Sequence, residues 1–481
     1  MDFGGFRAVR APFDKDGNIA ALGPIDGAHV HEELAALVPQ VDDLIVISHG
    51  WNNNVPEAQG LYDEFLGNVA AQWAAAGLTK GDADRTGVLA VYWPSKRFEE
   101  SDLISGGAAS IDDASATGPD GAPADYQAKI EAQVANLRDA YGQFPPAQQL
   151  LLDEVLRTSR SLDDPASQTA FVVALAKLMP APAEPDPGLD VLTVQDAQEN
   201  GPAILQEVAT QIGGGMFVAP PPDDQGGAAS IDDVSSAPSD MSGGAAGFDP
   251  IGGIKKAAWL MLNLTTYYAM KERAGTLGPV VAKLVLDALK QKPSLRVHLV
   301  GHSFGGRLVT SLANALPDGG PSAASMMLLQ AAYSHYGLAP APSAGQAARP
   351  AGAFRSVVEK RKVRGWIQIT HSNHDWAVGA GYPLASSIAR QTASAIDVTV
   401  PSTAGSLWGG MGANGAQQTP EAYETDMLAN EGPYPPPNAT LPPPKRTIRN
   451  INGNAFISGH GSVRGKEVTW AFLQGFVASR A

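Results

Sequence analysis

Two rhythms of hydrophobic residues alternate along this chain, and together they predict an ordered series of strands and helices. Asp43-Leu-Ile-Val-Ile-Ser-His-Gly-Trp51 is a continuous apolar run ending on His-Gly, the form of a central strand buried on both faces. Helical spacing then takes over. Asn54 and Pro56 open a helix with Leu61, Tyr62, Phe65, Leu66, Val69 and Trp73 along one face, and Gly77 is placed as its stop. Gly87-Val-Leu-Ala-Val-Tyr-Trp-Pro94 is the next strand, so a βαβ unit forms and the sheet should be mostly parallel. Ahead of it, Phe6 to Arg10 and the turn at Phe13 to Asn18 read as an antiparallel hairpin at a sheet edge.

The same rhythms converge at Leu295-Arg-Val-His-Leu-Val-Gly-His-Ser-Phe-Gly-Gly-Arg307. Leu295, Val297 and Leu299 alternate as in a strand, whereas Leu308, Val309, Leu312 and Leu316 recur at helical spacing until Pro317. The period changes at Ser303. A turn this tight pushes its central side chain out of the backbone, and Gly301 and Gly305 lack the Cβ atoms that would keep strand and helix apart. This Gly-x-Ser-x-Gly pattern makes Ser303 the candidate nucleophile. Ahead of it, Ala257 to Arg273 and Leu277 to Leu289 read as two helices separated by Gly275 and Gly278. After it, Ser325 to Gln330 and Gly365 to Thr370 read as strands, residues 401–445 as loop, and Asn454 to Ser458 as a last short strand. A closing helix has Val468, Phe472 and Phe476 on its inner face.

Between residues 97 and 250 the texture shifts to Gly, Ala, Ser, Asp and Pro, and the octapeptide Gly-Gly-Ala-Ala-Ser-Ile-Asp-Asp occurs at 106–113 and again at 226–233. Three helical stripes lie between the copies: Tyr126 to Tyr141, Leu150 to Leu156, and a helix capped by Asp164-Pro165 that runs to Leu178. The division that follows is a main α/β domain from 1–96 and 251–481, with 97–250 as a helical cap on flexible linkers.

Composition removes several classes. The 34 Lys and Arg against 49 Asp and Glu leave a formal charge of −15, which argues against a nucleic-acid or anionic-membrane partner. With no cysteine there is no disulfide framework and no thiolate nucleophile or metal ligand. No apolar run reaches 18 residues and Met1 to Phe6 lacks a signal-peptide pattern, so a soluble protein without stable membrane insertion is expected, either cytoplasmic or secreted after loss of a signal.

Around the elbow, over residues 40–100 and 250–481, the chain resembles the α/β-hydrolase superfamily, in particular its bacterial serine esterases and lipases. The resemblance implies an α/β-hydrolase fold and a carboxylic-ester hydrolase that works through an acyl-enzyme on a small-molecule, lipid or polymer ester, with no cofactor. A serine hydroxyl needs a histidine to take its proton and a carboxylate to hold that histidine. In the family the acid follows a late strand and the histidine the last one; the matching residues are Asp375 and His460, with Asp397 a competitor for the acid. Phe304 supplies one backbone donor of the oxyanion hole, and the resemblance assigns the second to the N–H of Trp51. His302, Trp376, Tyr382, Trp408 and Met411 are candidates for the substrate pocket, each weighed against an ordinary core role. Two other readings stay open. His371-Ser-Asn-His374-Asp375 could offer a metal two imidazoles and a carboxylate, although a third independent ligand is not visible. A non-catalytic binding or scaffold protein on the same fold is the rival from another class, and thioesterase, amidase, peptidase or acyltransferase chemistry would use the same residues. A dehalogenase or epoxide hydrolase is disfavoured, because those place a carboxylate where Ser303 stands.

Overall fold

The computed structural model describes residues 2–51, 53–95, 125–140, 146–179, 193–213, 250–342, 349–375, 377–378, 409–429, 431–435 and 447–480. Their strands, in chain order, are β1 (Asp2–Phe3), β2 (Phe6–Pro12), β3 (Asp43–Ser48), β4 (Thr86–Tyr92), β5 (Arg296–His302), β6 (Ser325–Leu329), β7 (Ile367–His371), β8 (Ala422–Asp426) and β9 (Ile448–Asn452). They form one nine-stranded sheet of spatial order β1-β2-β4-β3-β5-β6-β7-β9-β8. Only the β1–β2 pair is antiparallel among these neighbours.

The helices are α1 (Val30–Leu37), α2 (Val55–Ala71), α3 (Lys80–Asp84), α4 (Tyr126–Ala140), α5 (Pro146–Ser159), α6 (Pro165–Leu178), α7 (Val194–Gly213), α8 (Pro250–Gln291), α9 (Phe304–Ala315), α10 (Arg355–Glu359), α11 (Met411–Asn414) and α12 (Lys466–Ala478). Every residue of β3 and β4 is buried, as continuous apolar runs require. Their side chains alternate between two cores. Leu44, Val46, Leu89 and Val91 join α1, α8 and α9 on one face, while Ile45, Ile47, Val88 and Ala90 pack with α2 and α12 on the other. The start of α2 is held by reciprocal bonds: Asn54 Oδ1 accepts from Glu57 N at 2.8 Å and Glu57 Oε2 accepts from Asn54 N at 2.6 Å.

Several elements differ from the sequence expectation. The antiparallel edge pair is β1–β2, closed by Gly4 and Gly5 at positive φ, so the turn at 13–18 comes after it. Helix α2 stops at Ala71, and Gly77 closes the turns beyond it. The two helices foreseen before the elbow are one, α8, with Gly275, Gly278 and Pro279 inside it. Those glycines are an approach surface: a Cβ on Gly278 would lie 2.5 Å from Ser311 Cβ of α9, and one on Gly275 would lie 3.2 Å from Arg307 Nε.

Helices α4, α5 and α6 match the three stripes, but α7 was not foreseen, because Gly201 and Pro202 interrupt its pattern. Gly201 is there because a Cβ would meet Thr169 Cα of α6 at 2.8 Å. Side chains of α4 to α7 belong to the same hydrophobic cluster as α8 and the sheet. The last strand pairing is also displaced: β9 precedes the expected strand at Asn454–Ser458, which opens as a turn over 454–456, and β8 lies within the 401–445 stretch that the sequence predicts as loop. Edge strand β8 is mostly polar and partly exposed, so it carries little hydrophobic signal. Among the described residues no helix is long and apolar enough to cross a membrane. The duplicated octapeptide lies outside the described residues.

Candidate active site

Parallel strands deliver the ends of β3, β5, β6, β7 and β9 to one edge of the sheet, and the candidate residues collect there. Ser303 joins β5 to α9 at φ 57° and ψ −123°, a left-handed region that a non-glycine side chain occupies only under constraint. The constraint is visible. A Cβ on Gly301 would lie 2.2 Å from Gly305 O, and one on Gly305 would lie 2.3 Å from Ser48 O, so only glycines allow strand and helix to close around Ser303. Ser303 N donates to Leu329 O at 2.9 Å, and Ser303 O accepts from Ala332 N at 3.1 Å, which fixes the elbow to the end of β6.

Asp375 follows β7 and His460 follows β9. Their side chains meet, with His460 Nδ1 2.9 and 3.0 Å from the two oxygens of Asp375. Asp375 is fully buried, and its oxygens also accept from Gln330 Nε2 at 2.9 Å and Val378 N at 3.0 Å. The loops that carry the pair are laced together. Gly453 N donates to His371 O, Asn373 N to Asn454 Oδ1, and Ser372 Oγ to Ile457 O, at 2.8 to 2.9 Å.

His302 links this pair to the elbow. Its Nε2 donates to the carbonyl of His460 at 2.9 Å, and the two rings lie 4.9 Å apart. Burial, followed by the proximity of His460, pushes the His302 imidazole down to about 3, so it is neutral at physiological pH. His302 is thus a buried tether, where the sequence had offered it as a pocket residue. The hydrogen bonds of His460 among the described residues are those to Asp375 and from His302.

The loop after β3 lies against Ser303. A Cβ on Gly50 would come within 2.5 Å of Ser303 Cβ and 3.2 Å of Oγ. His49 organises this loop: its Nδ1 lies 2.9 Å from Gly50 O, and its Nε2 accepts from Trp93 N at 3.2 Å. Burial holds His49 down at about 4, so the neutral tautomer with a proton on Nδ1 suits both bonds. Asn53 Nδ2 donates to Trp51 O at 2.9 Å, so that side chain shapes the turn. The Trp51 ring stands 6.3 Å from that of Phe304, the first residue of α9.

No family model, curated protein or solved structure matches this chain.

Met411 is fully buried in the core, where its N donates to Tyr333 O at 2.8 Å, so it packs and does not line an open pocket. Trp376, Tyr382, Trp408 and the competing Asp397 lie outside the described residues. The His-x-x-His-Asp run divides between partners, since His371 bonds Glu424 while Asp375 bonds His460. Among the described residues no three His, Asp or Glu side chains gather as a metal-holding group. A groove of about 530 Å³ at the β8 edge, lined by Arg349, Tyr423, Glu424 and Asn450 among others, contains none of the three candidate residues. Sequence reasoning missed Gln330 and His49 as parts of the site. For His49 the signal was its place between an apolar strand and Gly50; for Gln330 there was none.

Proposed function

We propose that this protein is a serine hydrolase of the α/β-hydrolase type that cleaves carboxylic esters through an acyl-enzyme. The observation that carries the proposal is Ser303 at positive φ between β5 and α9, with its chain neighbour His302 bonded to His460, whose Nδ1 is held by the buried Asp375 carboxylate. A hydroxyl oriented this way gives its proton to His460 Nε2 as Oγ attacks the ester carbonyl. Asp375, bonded at Nδ1, keeps Nε2 free to accept that proton and stabilises the imidazolium that results. Negative charge then develops on the carbonyl oxygen, and the backbone N–H groups of Phe304 and Trp51 are the donors assigned to it. Collapse of the tetrahedral intermediate breaks the ester bond as His460 returns the proton to the leaving alcohol. Water repeats the sequence to release the acid.

The neutral His49 supports the oxyanion role of its loop. It binds the Gly50 carbonyl, and because a peptide C=O and the following N–H point in opposite directions, this fixes the aim of the Trp51 N–H. Helices α4 to α7 are proposed as a cap. The insertion leaves after β4, and its return is clasped by Arg273 Nη1, which donates to Pro94 O at 2.6 Å.

The deciding experiment pairs a fluorophosphonate probe with a nitrophenyl acetate assay. The probe should label Ser303, and Ser303→Ala should abolish both labelling and hydrolysis with the circular dichroism spectrum unchanged. Turnover by the alanine variant, or labelling elsewhere, would reject the proposal; turnover of thioesters or amides in preference to esters would reassign the substrate class.

A further inference from the structure

Beyond the three candidate residues, the structure points to a fourth that acts on them: we propose that Gln330 is a positioning residue that holds the Asp375 carboxylate for His460. This rests on the hydrolase reading of the Ser303 site. Gln330 ends the β6 segment, fully buried, and its amide nitrogen donates both hydrogens, one to Asp375 Oδ2 and one to Gly412 O, each at 2.9 Å. Its backbone N donates to Thr370 Oγ1 at 3.1 Å.

Two features of this position oppose stability. Gln330 sits at φ 45°, which a side chain longer than Asn adopts reluctantly, and its Oε1 is buried with no hydrogen-bond partner among the described residues. An apolar side chain of similar length would remove the second cost. What the amide supplies in return is the bond to the carboxylate. Its orientation is not free, because the opposite amide rotamer would set Oε1 against a carboxylate oxygen and a carbonyl. Gly412 lies close against the Gln330 backbone, since a Cβ there would meet Gln330 C at 2.5 Å.

With this bond Asp375 has four contacts on two oxygens: His460 Nδ1 to both, Val378 N to Oδ1 and Gln330 Nε2 to Oδ2. The carboxylate therefore cannot rotate away from the imidazole. The amide also draws off part of its negative charge. Without that donor the carboxylate keeps only the Val378 N–H and the imidazole as partners, so its hold on His460 changes.

The test is Gln330→Met, which keeps length and removes the donor, with Gln330→Asn, too short to reach, as a second variant should the first fail to fold. Nitrophenyl acetate kinetics across pH and NMR titration of the His460 ring are measured on each full-length protein. We expect kcat to fall about 10- to 100-fold with KM within about twofold, and the acid limb of kcat/KM and the ring titration to move together. A lower melting temperature with an unmoved His460 titration would make Gln330 structural only and overturn the inference. If the wild-type protein neither turns over esters nor takes the fluorophosphonate, the hydrolase reading fails, yet the NMR titration still decides whether Gln330 acts on the Asp375–His460 pair.

Discussion

Besides Ser303, another serine of this chain lies close to a histidine that in turn meets an aspartate. At the amino ends of the strands Ser325 Oγ lies 2.8 Å from His298 Nδ1, and His298 Nε2 lies 3.0 Å from Asp43 Oδ1. Hydrogen-bond connectivity alone would favour that set. Yet His298 and Asp43 are fully buried, Phe476 covers the imidazole at 4.3 Å, and Ser325 lies within a regular strand. The core closes that set off, whereas Ser303, although buried too, lies on the strand-to-helix turn with the Gly50 loop against it. This contrast yields a prediction for Gly50→Ala. The added methyl would clash with Ser303 Cβ and displace the loop that carries Trp51, the proposed second oxyanion donor, so ester turnover should fall about 10²- to 10³-fold while the melting temperature changes little. Steady-state kinetics beside a thermal melt would check it.

Among the elements, α8 does most to join the parts of the molecule. Its first half packs with the inserted helices and its second half with α9, and it runs without a break from Pro250 to Gln291. Gly275 and Gly278 look in sequence like a helix boundary, but they are the places where α9 approaches too closely for a side chain. Buried Arg307 on α9 fills the space beside Gly275, with Nε donating to Lys271 O at 3.1 Å and Nη2 to Glu272 Oε1 at 3.2 Å. Gly278→Val should therefore push α9 off α8 and lower stability by about 1–3 kcal/mol, despite the better helix propensity of valine over glycine. Chemical denaturation of the variant would measure it, and an unchanged midpoint would show that the two helices separate freely.

For the molecule as a whole, buried imidazoles set an acid limit. Burial lowers His49 to about 4 and His302 to about 3, and lowers His298 as well, although Asp43 pulls the last one back up. Each folded value lies below the unfolded one, so the unfolded chain takes up these protons first as pH falls. The stability tied to them is complete above about pH 6.5 and is lost as pH drops toward the folded values, on the order of 3 kcal/mol for His49. The melting temperature should hold steady from pH 8 to 7 and decline below 6.5, and His298→Asn or His49→Asn should flatten that decline. A profile that stays level down to pH 5 would mean that water reaches these rings.

Sequence by itself determined the local events. The apolar runs at β3 and β4 announced buried parallel strands, Asn54 and Pro56 the start of α2, and the change of period at Ser303 the elbow, because each depends on neighbours a few residues away. Asp375 and His460 could be named by chain order, but only folding brings them within 3 Å across 85 residues. Gln330, the tether from His302 to His460, and the meaning of Gly278 were invisible before that. Their roles rest on what another part of the chain presents to them, and a polar side chain at a strand end or a glycine in a helix has no local pattern that says which partner will arrive. The position of β9 was misjudged for the same reason: its alternating polar residues include a buried Arg449 that lies between the rings of Trp366 and Tyr434, so burial there is decided by a tertiary cage and not by hydrophobicity.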